Sequence, residues 1–239
     1  MKLCDLTLPT PEENLACDEA LLDLCEAGDS DELLRLWTLP QYFVVVGYAN
    51  QAATEVNLPL CRKLTIPVLR RCTGGGAVLQ GPGVLNYSLL LRIDDSGPCH
   101  SIPATNRFIL ERHRDALANL VLAPVAWQGQ TDLAIGGLKF AGNAQRRRRR
   151  FLLFHGSFLL HLDIGLLEKI LPHPSRQPDY RANRSHSEFL INLNVPDHAI
   201  KAALAKAWNA TAPLDPIPFA QITLLAREKY ALDEWNFKF

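Results

Sequence analysis

Apolar residues along this chain recur with two periods, one near 3.6 residues and one of two, and the switches between them set out the elements. Pro9-Thr10-Pro11-Glu12-Glu13 opens the first helix: Thr10 caps it, Pro11 suits the first turn, and the two acids complement the dipole. Leu15, Leu21, Leu22 and Cys25 then fall on one face, which predicts a core-packed helix ended by Gly28-Asp29-Ser30. Leu33–Trp37 and Phe43–Gly47 read as strands around a proline-bearing turn, and Tyr48–Gln51 as a polar loop. Asn57–Lys63 predicts a short helix and Leu64–Leu69 a strand. Leu85, Tyr87, Leu89 and Leu91 alternate with Asn86, Ser88, Leu90 and Arg92, the pattern of a half-buried strand. Helices are predicted from about Ala104 to Val121, from Asp163 to Leu171, from an Asp197 cap through Ile200, Leu204 and Trp208, and from Pro218 to Tyr230. Phe151–Leu160 predicts a further strand, and Pro174–Ser187 a polar loop carrying Tyr180, Arg181, Arg184 and His186. His113, between Arg112 and Arg114, is placed on a solvated helix face.

Composition narrows the class. The chain has 239 residues, 48% of them apolar, enough for a substantial core. The formal net charge is zero, so bulk attraction to nucleic acid or to an anionic membrane is not expected. No apolar run approaches the roughly 18–20 residues that span a bilayer, and Met1–Leu6 has no signal-peptide pattern. The six cysteines are scattered, with no C-x-x-C pair, which suits free thiols in a reducing compartment. A cytoplasmic protein of one domain, with helices added towards its C-terminal end, is expected.

Two stretches carry candidate chemistry. Arg70-Arg71-Cys72-Thr73-Gly74-Gly75-Gly76-Ala77 lies between two predicted strands. Three successive glycines cost chain entropy; they let backbone approach a ligand and let successive N–H groups point into one concavity. Two arginines at its mouth are suited to phosphate or carboxylate. The second stretch, Thr131 to Ala144, has two short β runs around Gly136-Gly137, a hairpin signal. Lys139 sits one step past that turn, on the opposite face from Leu138 and Phe140. By itself it reads equally as a site lysine beside the small residues Ala141-Gly142-x-Ala144 or as an edge-strand lysine that discourages aggregation. Arg146–Arg150, five consecutive arginines without aromatic interleaving, predict a surface hairpin loop open to an acidic partner. His155 reads first as a structural histidine within its strand, and His186 has no partner at metal-ligand spacing.

As a set these segments resemble the biotin/lipoate A/B protein ligase family, on its lipoate–protein ligase side. The resemblance rests on Arg70-Arg71-x-Thr-Gly-Gly-Gly-Ala-Val, Leu85-Asn86-Tyr87-Ser88, Asp132-Leu133 with Gly137-x-Lys139-x-x-Gly142-x-Ala144-Gln145, and His155-Gly156-Ser157, in that order. It covers roughly residues 10–195 and extends to Asn14–Ala20 and Val45-Val46-Gly47. The fold it implies is α+β, a mixed, mostly antiparallel sheet with packed helices, like the biotin/lipoate ligase catalytic core and class II synthetases. Residues 1–239 would then be a single catalytic domain without the separate C-terminal accessory domain of long lipoate ligases.

The resemblance also implies a reaction. Lipoate or octanoate reacts with ATP to give an acyl adenylate, and a lysine of a lipoyl domain attacks it to form an amide. The carrier would be the lipoyl domain of a 2-oxoacid dehydrogenase acyltransferase subunit or the glycine-cleavage H protein, with a separate accessory subunit as a further partner. Lys139 would bridge the acyl carbonyl and phosphate. Arg71 and the backbone of Gly76, Ala77, Val78 and Leu79, with Gln80, Gly142 and Ala144, would hold the nucleotide, and Asp132 would assist Mg2+. Phe140, Val78 and Leu85 would help line the acyl tunnel. The chain departs from the family at Gln80, where a histidine is common, at Gly81, where an acid is common, and at Tyr48–Gln51, which replaces Arg-x-Gln-Asn. The alternatives are an ATP-independent octanoyltransferase or lipoyl amidotransferase of the same fold, and a non-catalytic acyl- or nucleotide-binding protein. The transferases use a cysteine; Pro124–Gln128 and Leu152–Phe154, where the two branches carry it, hold none.

Overall fold

The computed structural model describes residues 1–28 and 30–239; Asp29, part of the expected helix stop, lies outside the described residues. The elements in chain order begin with β1 (Lys2–Asp5), α1 (Pro11–Ala27), β2 (Leu33–Trp37), β3 (Phe43–Val46), α2 (Ala52–Glu55) and α3 (Leu58–Lys63). They continue with β4 (Val68–Arg70), β5 (Val78–Gln80), β6 (Val84–Arg92), α4 (Ile102–Leu117), β7 (Val125–Gln128), β8 (Asp132–Ile135), β9 (Leu138–Arg147) and β10 (Phe151–Leu159). The remainder is α5 (Ile164–Ile170), α6 (His186–Phe189), α7 (Asp197–Ala207), β11 (Ala212–Pro213), α8 (Phe219–Leu225) and α9 (Asp233–Asn236). Among the described residues these strands make an eight-stranded sheet, ordered β11-β1-β2-β6-β10-β9-β8-β7, and a three-stranded sheet, β4-β3-β5. Among these strands, β1 with β2 and β11, and β3 with β4, pair in parallel and the other pairs are antiparallel. The fold is therefore α+β with a mostly antiparallel sheet.

Local signals explain several boundaries. Thr10 accepts from the Glu13 N–H while Glu13 reaches back to the Thr10 N–H, a capping box with Pro11 in the first turn. Gly28 closes α1 in the left-handed region, φ 94°. Asp163 and Ser101 cap α5 and α4 through their side chains. The helix expected after an Asp197 cap starts at Asp197 itself, with Pro196 in the cap position. The Leu64–Leu69 strand shortens to β4, and the last expected helix ends in a π-helical turn over Ala226–Tyr230.

Two apolar clusters sandwich the large sheet. Leu15, Leu21 and Leu22 of α1, with Ile222 of α8, pack on Leu33, Leu90 and Leu153. On the opposite face, Ile109 and Leu110 of α4 and Ile200 and Leu204 of α7 pack on Leu34, Leu89 and Leu152. Because both faces are covered, β6 is buried from Val84 to Leu91 and only Arg92 is exposed, in place of the expected half-buried strand. His113 is also corrected. It is fully buried, edge-on to Tyr87, and its Nε2 accepts from Trp208 Nε1 at 2.9 Å. Of the flanking arginines, Arg112 lies over Phe108 and over the same Trp208 indole, and Arg114 pairs with Asp115.

Burial, then the Arg112 charge, pull the His113 pKa down to about 3 from its ordinary 6.5. The unfolded chain therefore takes up this proton first as pH falls. The associated stability is complete above pH 6.5 and drains towards pH 3, at about 1.4 kcal/mol per pH unit. His113→Gln, which keeps an acceptor for Trp208, is expected to flatten the fall in urea stability between pH 6.5 and 4. An unchanged slope would contradict a neutral buried imidazole.

The arginine run does form a hairpin end, and its acidic partner is the chain's own α1. Arg146 pairs with Glu19 (3.2 Å), Arg148 with Asp23 (2.7 Å), and the Arg150 N–H donates to Glu26 (3.0 Å). Every second residue of the run thus meets one of three acids spaced three or four residues apart along the helix. No described helix is long and apolar enough to cross a membrane.

Candidate active site

Strand register builds the floor. Trp37, Asn86, Ser157 and Gly142 stand in one row across β2, β6, β10 and β9, and Arg35, Ser88, His155 and Ala144 form the next row on the same face. Both rows lie beneath α1. The segment Thr73–Ala77, leading into β5, borders this face. Between them is a cavity of about 140 Å³.

Arg71 shapes the glycine loop from inside. Its Nε donates to Thr73 Oγ1 (3.0 Å) and Gly74 O (3.0 Å), and its Nη2 to Gly74 O (2.6 Å) and Gly76 O (2.8 Å). The loop carbonyls therefore turn inward. The N–H groups of Gly74, Gly75 and Gly76 find no protein acceptor among the described residues, and all three glycines are exposed. Unpartnered N–H groups on a loop wrapped around a guanidinium make an anion cradle. Gly75 is required twice: its φ is 90°, and a Cβ would lie 2.7 Å from Arg71 Nη2. Burial, the largest influence, pulls the Arg71 pKa down to about 10, so the group stays charged at neutral pH. Arg70 does not share the cradle mouth. Wholly buried, it bonds the carbonyls of Gly47, Tyr48, Asn50, Trp235 and Asn236, tying β4 to α9. The expected twin-arginine grip is corrected to one internal brace and one tail anchor.

The Gly136-Gly137 hairpin forms as expected, both residues at positive φ (58° and 76°). It presents Lys139, half-buried, whose Nζ pairs with Asp132 Oδ1 at 2.8 Å. A Cβ on Gly142 would sit 2.6 Å from that Nζ, so the bare Gly142 is what lets the ammonium lie over the sheet. Asp132 Oδ2 accepts from the Tyr180 hydroxyl at 2.8 Å. Both carboxylate oxygens are thus engaged, and no three metal-ligating side chains cluster among the described residues. Asp132 alone does not fit a resident magnesium ion.

Of the expected site residues, Arg71, Gly76, Ala77, Val78, Gln80, Lys139, Gly142 and Ala144 line the cavity. The Leu79 side chain faces the other side of β5, in the core with Val44 and Val84, because alternate residues of a strand diverge; the expectation for Gly76–Leu79 concerns their backbone. Phe140 and Leu85 are fully buried in the core against α4 and α7, and do not line the cavity; Leu15, Trp37, Val45 and Val78 supply its apolar wall instead. None of the six cysteines lines it, and all six are buried.

The sequence left Asp18 and Trp37 unassigned and gave His155 a structural default. Here His155 Nδ1 lies 3.0 Å from Asp18 Oδ2 and Nε2 lies 2.7 Å from Thr73 Oγ1, while Asp18 Oδ1 accepts from Arg35 at 2.6 Å. Because Arg71 Nε donates to the Thr73 hydroxyl, that hydroxyl is free to donate to His155 Nε2. The Nδ1–H of His155 then faces Asp18. Gln80 donates to Ser157 (2.6 Å), which donates to Asn86 (2.7 Å), so Gln80 holds a structural place in the floor.

Residues 10–200 match the family described as the lipoyl protein ligase A/B catalytic domain. A lipoate-protein ligase A subunit 1 of Thermoplasma acidophilum is 31% identical, with 97% of this chain and 95% of that protein covered. An octanoyltransferase LipM of Brevibacillus brevis is 26% identical, with 96% and 95% covered. Among solved structures, a lipoate-protein ligase A bound with ATP superposes with a TM-score of 0.82 at 26% identity, covering 99% of this chain and 98% of that one.

Proposed function

We propose, from the premise that this chain belongs to the lipoyl protein ligase A/B catalytic-domain family, that it is an ATP-dependent lipoate–protein ligase. The observation that carries the reading is one cavity that brings together the Lys139 ammonium and the unpartnered amides of the glycine loop, with no thiol among its lining residues.

In activation a carboxylate oxygen of the acid attacks the α-phosphorus of ATP, the bond to the β-phosphate oxygen breaks, and pyrophosphate departs, leaving an acyl adenylate. Two anions repel, so positive and N–H donors must already stand where charge concentrates. The glycine loop supplies fixed dipoles and Lys139 a mobile point charge. The apolar wall of Leu15, Trp37, Val45 and Val78 takes the alkyl chain of lipoate or octanoate. Magnesium then arrives on the nucleotide, held by phosphate oxygens, as part of the substrate. In the second step the amine of a lipoyl-domain lysine attacks the acyl carbon, an amide forms, and AMP leaves. The acceptor is a lipoyl domain of a 2-oxoacid dehydrogenase acyltransferase or the glycine-cleavage H protein. A second subunit completes the enzyme; a relative named as subunit 1 aligns over nearly its whole length, which supports that part of the reading.

The second reading is octanoyl transfer without ATP, favoured by the LipM relatives at similar identity. A thioester route needs an accessible thiolate. Burial raises the thiols of Cys17 and Cys25 to about 12 and holds that of Cys72 above its ordinary value. Pyrophosphate release with ATP and lipoate or octanoate, followed by intact mass of an added lipoyl domain, tests the proposal. ATP-dependent release and mass gain are expected. Mass gain only from an octanoyl-carrier donor, without ATP, overturns it in favour of the transferase. Ligand binding with neither reaction indicates a non-catalytic binding protein.

A further inference from the structure

Pro174–Ser187 reads in the sequence as a polar loop, yet it holds the hairpin that carries Lys139 at two points, and the chain just beyond it adds a third. The Tyr180 hydroxyl donates to Asp132 Oδ2 at 2.8 Å, and Asp132 Oδ1 faces the Lys139 ammonium at 2.8 Å. Arg184 Nη2 donates to Gly137 O at 3.1 Å, in the turn itself, and to Tyr180 O at 2.9 Å. Just beyond the loop, the Ile191 N–H donates to Lys139 O at 3.0 Å. One segment therefore fixes the backbone of Lys139, the turn before it and the counter-ion of its side chain. We infer that Tyr180 is a positioning residue for Lys139, acting through Asp132.

Tyr180 is itself held on several sides. Its ring tilts against Phe189 at 5.1 Å, and the Arg181 and Arg184 guanidiniums lie over that same Phe189 ring at 4.9 and 5.2 Å. Gly129 lies opposite; a Cβ there would meet the Tyr180 ring at 3.3 Å, and the φ of Gly129 is 55°. The phenol is thus packed into one orientation. Burial first, and the Asp132 charge second, raise its pKa above the ordinary phenol value, so it remains a donor across the working range of pH.

The consequence is directional. A carboxylate with one partner can turn about its terminal bond. With Oδ2 held by the phenol, Oδ1 has a fixed place, and the ammonium that follows it stays over Gly142. A lysine stem is long and flexible, so this fixing matters more for it than for a planar guanidinium. Substrate anions then meet a charge already in position, the condition under which electrostatic stabilisation is large. The inference rests on the ligase reading for its kinetic effect but not for its geometry.

Tyr180→Phe keeps the ring on Phe189 and removes only the hydroxyl. It is expected to lower kcat for pyrophosphate release about tenfold, as for loss of a hydrogen bond to a charged group. KM for ATP and acid should stay within about twofold, because the lost effect is on a transition-state charge. Asp132→Ala removes the intermediary, so adding Tyr180→Phe to it should cost nothing further. Independent, fully additive losses would overturn the inference. A second readout needs no activity: acetic anhydride labelling of Lys139, measured by peptide mass against the exposed Lys63, is expected to rise at least about threefold in Tyr180→Phe, since the half-buried amine then follows a carboxylate that is no longer fixed and spends more time off it. Unchanged Lys139 labelling in a variant with wild-type circular dichroism overturns the inference. If the wild-type protein releases no pyrophosphate, the ligase reading falls, while the labelling result still decides the role of Tyr180.

Discussion

Lys139→Ala is expected to slow pyrophosphate release with ATP and lipoate by about 10²–10³-fold, the usual cost of removing one preorganised electrostatic donor. The reason is positional. Lys139 is the cation that the hairpin holds over Gly142, and the glycine loop contributes only partial charges. Arg71 cannot replace it, since its Nε and Nη2 donors are spent on the loop's own Thr73 hydroxyl and glycine carbonyls. Lys139→Arg should rescue little, because the larger planar head does not match the place that an ammonium fills over Gly142. Gly142→Ala should also lower the rate with the lysine still present, since a Cβ 2.6 Å from Nζ forces the ammonium to shift. Stability of Lys139→Ala by urea denaturation should stay within about 1 kcal/mol of wild type, as for loss of one partly exposed ion pair. Near-normal pyrophosphate release by a folded Lys139→Ala would remove the lysine from the mechanism.

What could be read from the sequence, and what could not, divides along chain distance. The α1 cap, the Gly136-Gly137 hairpin and the glycine loop are encoded within a few residues, and each formed where expected. The face of Leu79 was not legible: β5 has three residues, too short to display a period, and the loop before it hides the phase. His113 misled because its flanking arginines are sequence neighbours; on a helix, adjacent residues point to different faces, and only the 3.6-residue period places His113 with Ile109 and Leu117 inside. The Asp18–His155 contact joins residues 137 positions apart and depends on the register of four strands, which no local signal carries. The tunnel assignment failed for the same reason. Leu85 is beside the site residue Asn86 in sequence, and strand alternation sends it to the other core; Phe140 has the parity of Gly142 and reaches that core because the β8–β9 register shifts beside it.

The second large effect is on stability. Asp18→Asn is expected to cost about 3–5 kcal/mol at pH 7, the range for breaking a buried ion pair from one side. Arg35 is fully buried and keeps its charge, so the variant leaves a guanidinium facing a neutral amide. Its other bonds, to Asn14 O at 2.8 Å and Asn14 Oδ1 at 2.7 Å, hold it in place and do not neutralise it. Against a typical stability of about 5–15 kcal/mol, this loss moves the protein close to unfolding. Burial alone would raise the Asp18 pKa; the Arg35 charge and the His155 hydrogen bond outweigh it and hold the group below its ordinary 3.8. The unfolded chain therefore protonates Asp18 first on acidification. The stabilisation is full above the unfolded value near 4 and is lost as pH falls through the lower folded value. The difference between wild type and Asp18→Asn in urea midpoint should thus be level from pH 8 to 5 and narrow below pH 4. Replacing both partners, Asp18→Leu with Arg35→Met, should recover most of the loss, because an apolar pair strands no charge. If the double variant is as unstable as Asp18→Asn, the cost lies in the His155 contact or in packing, and the ion pair is not what holds α1 to the sheet.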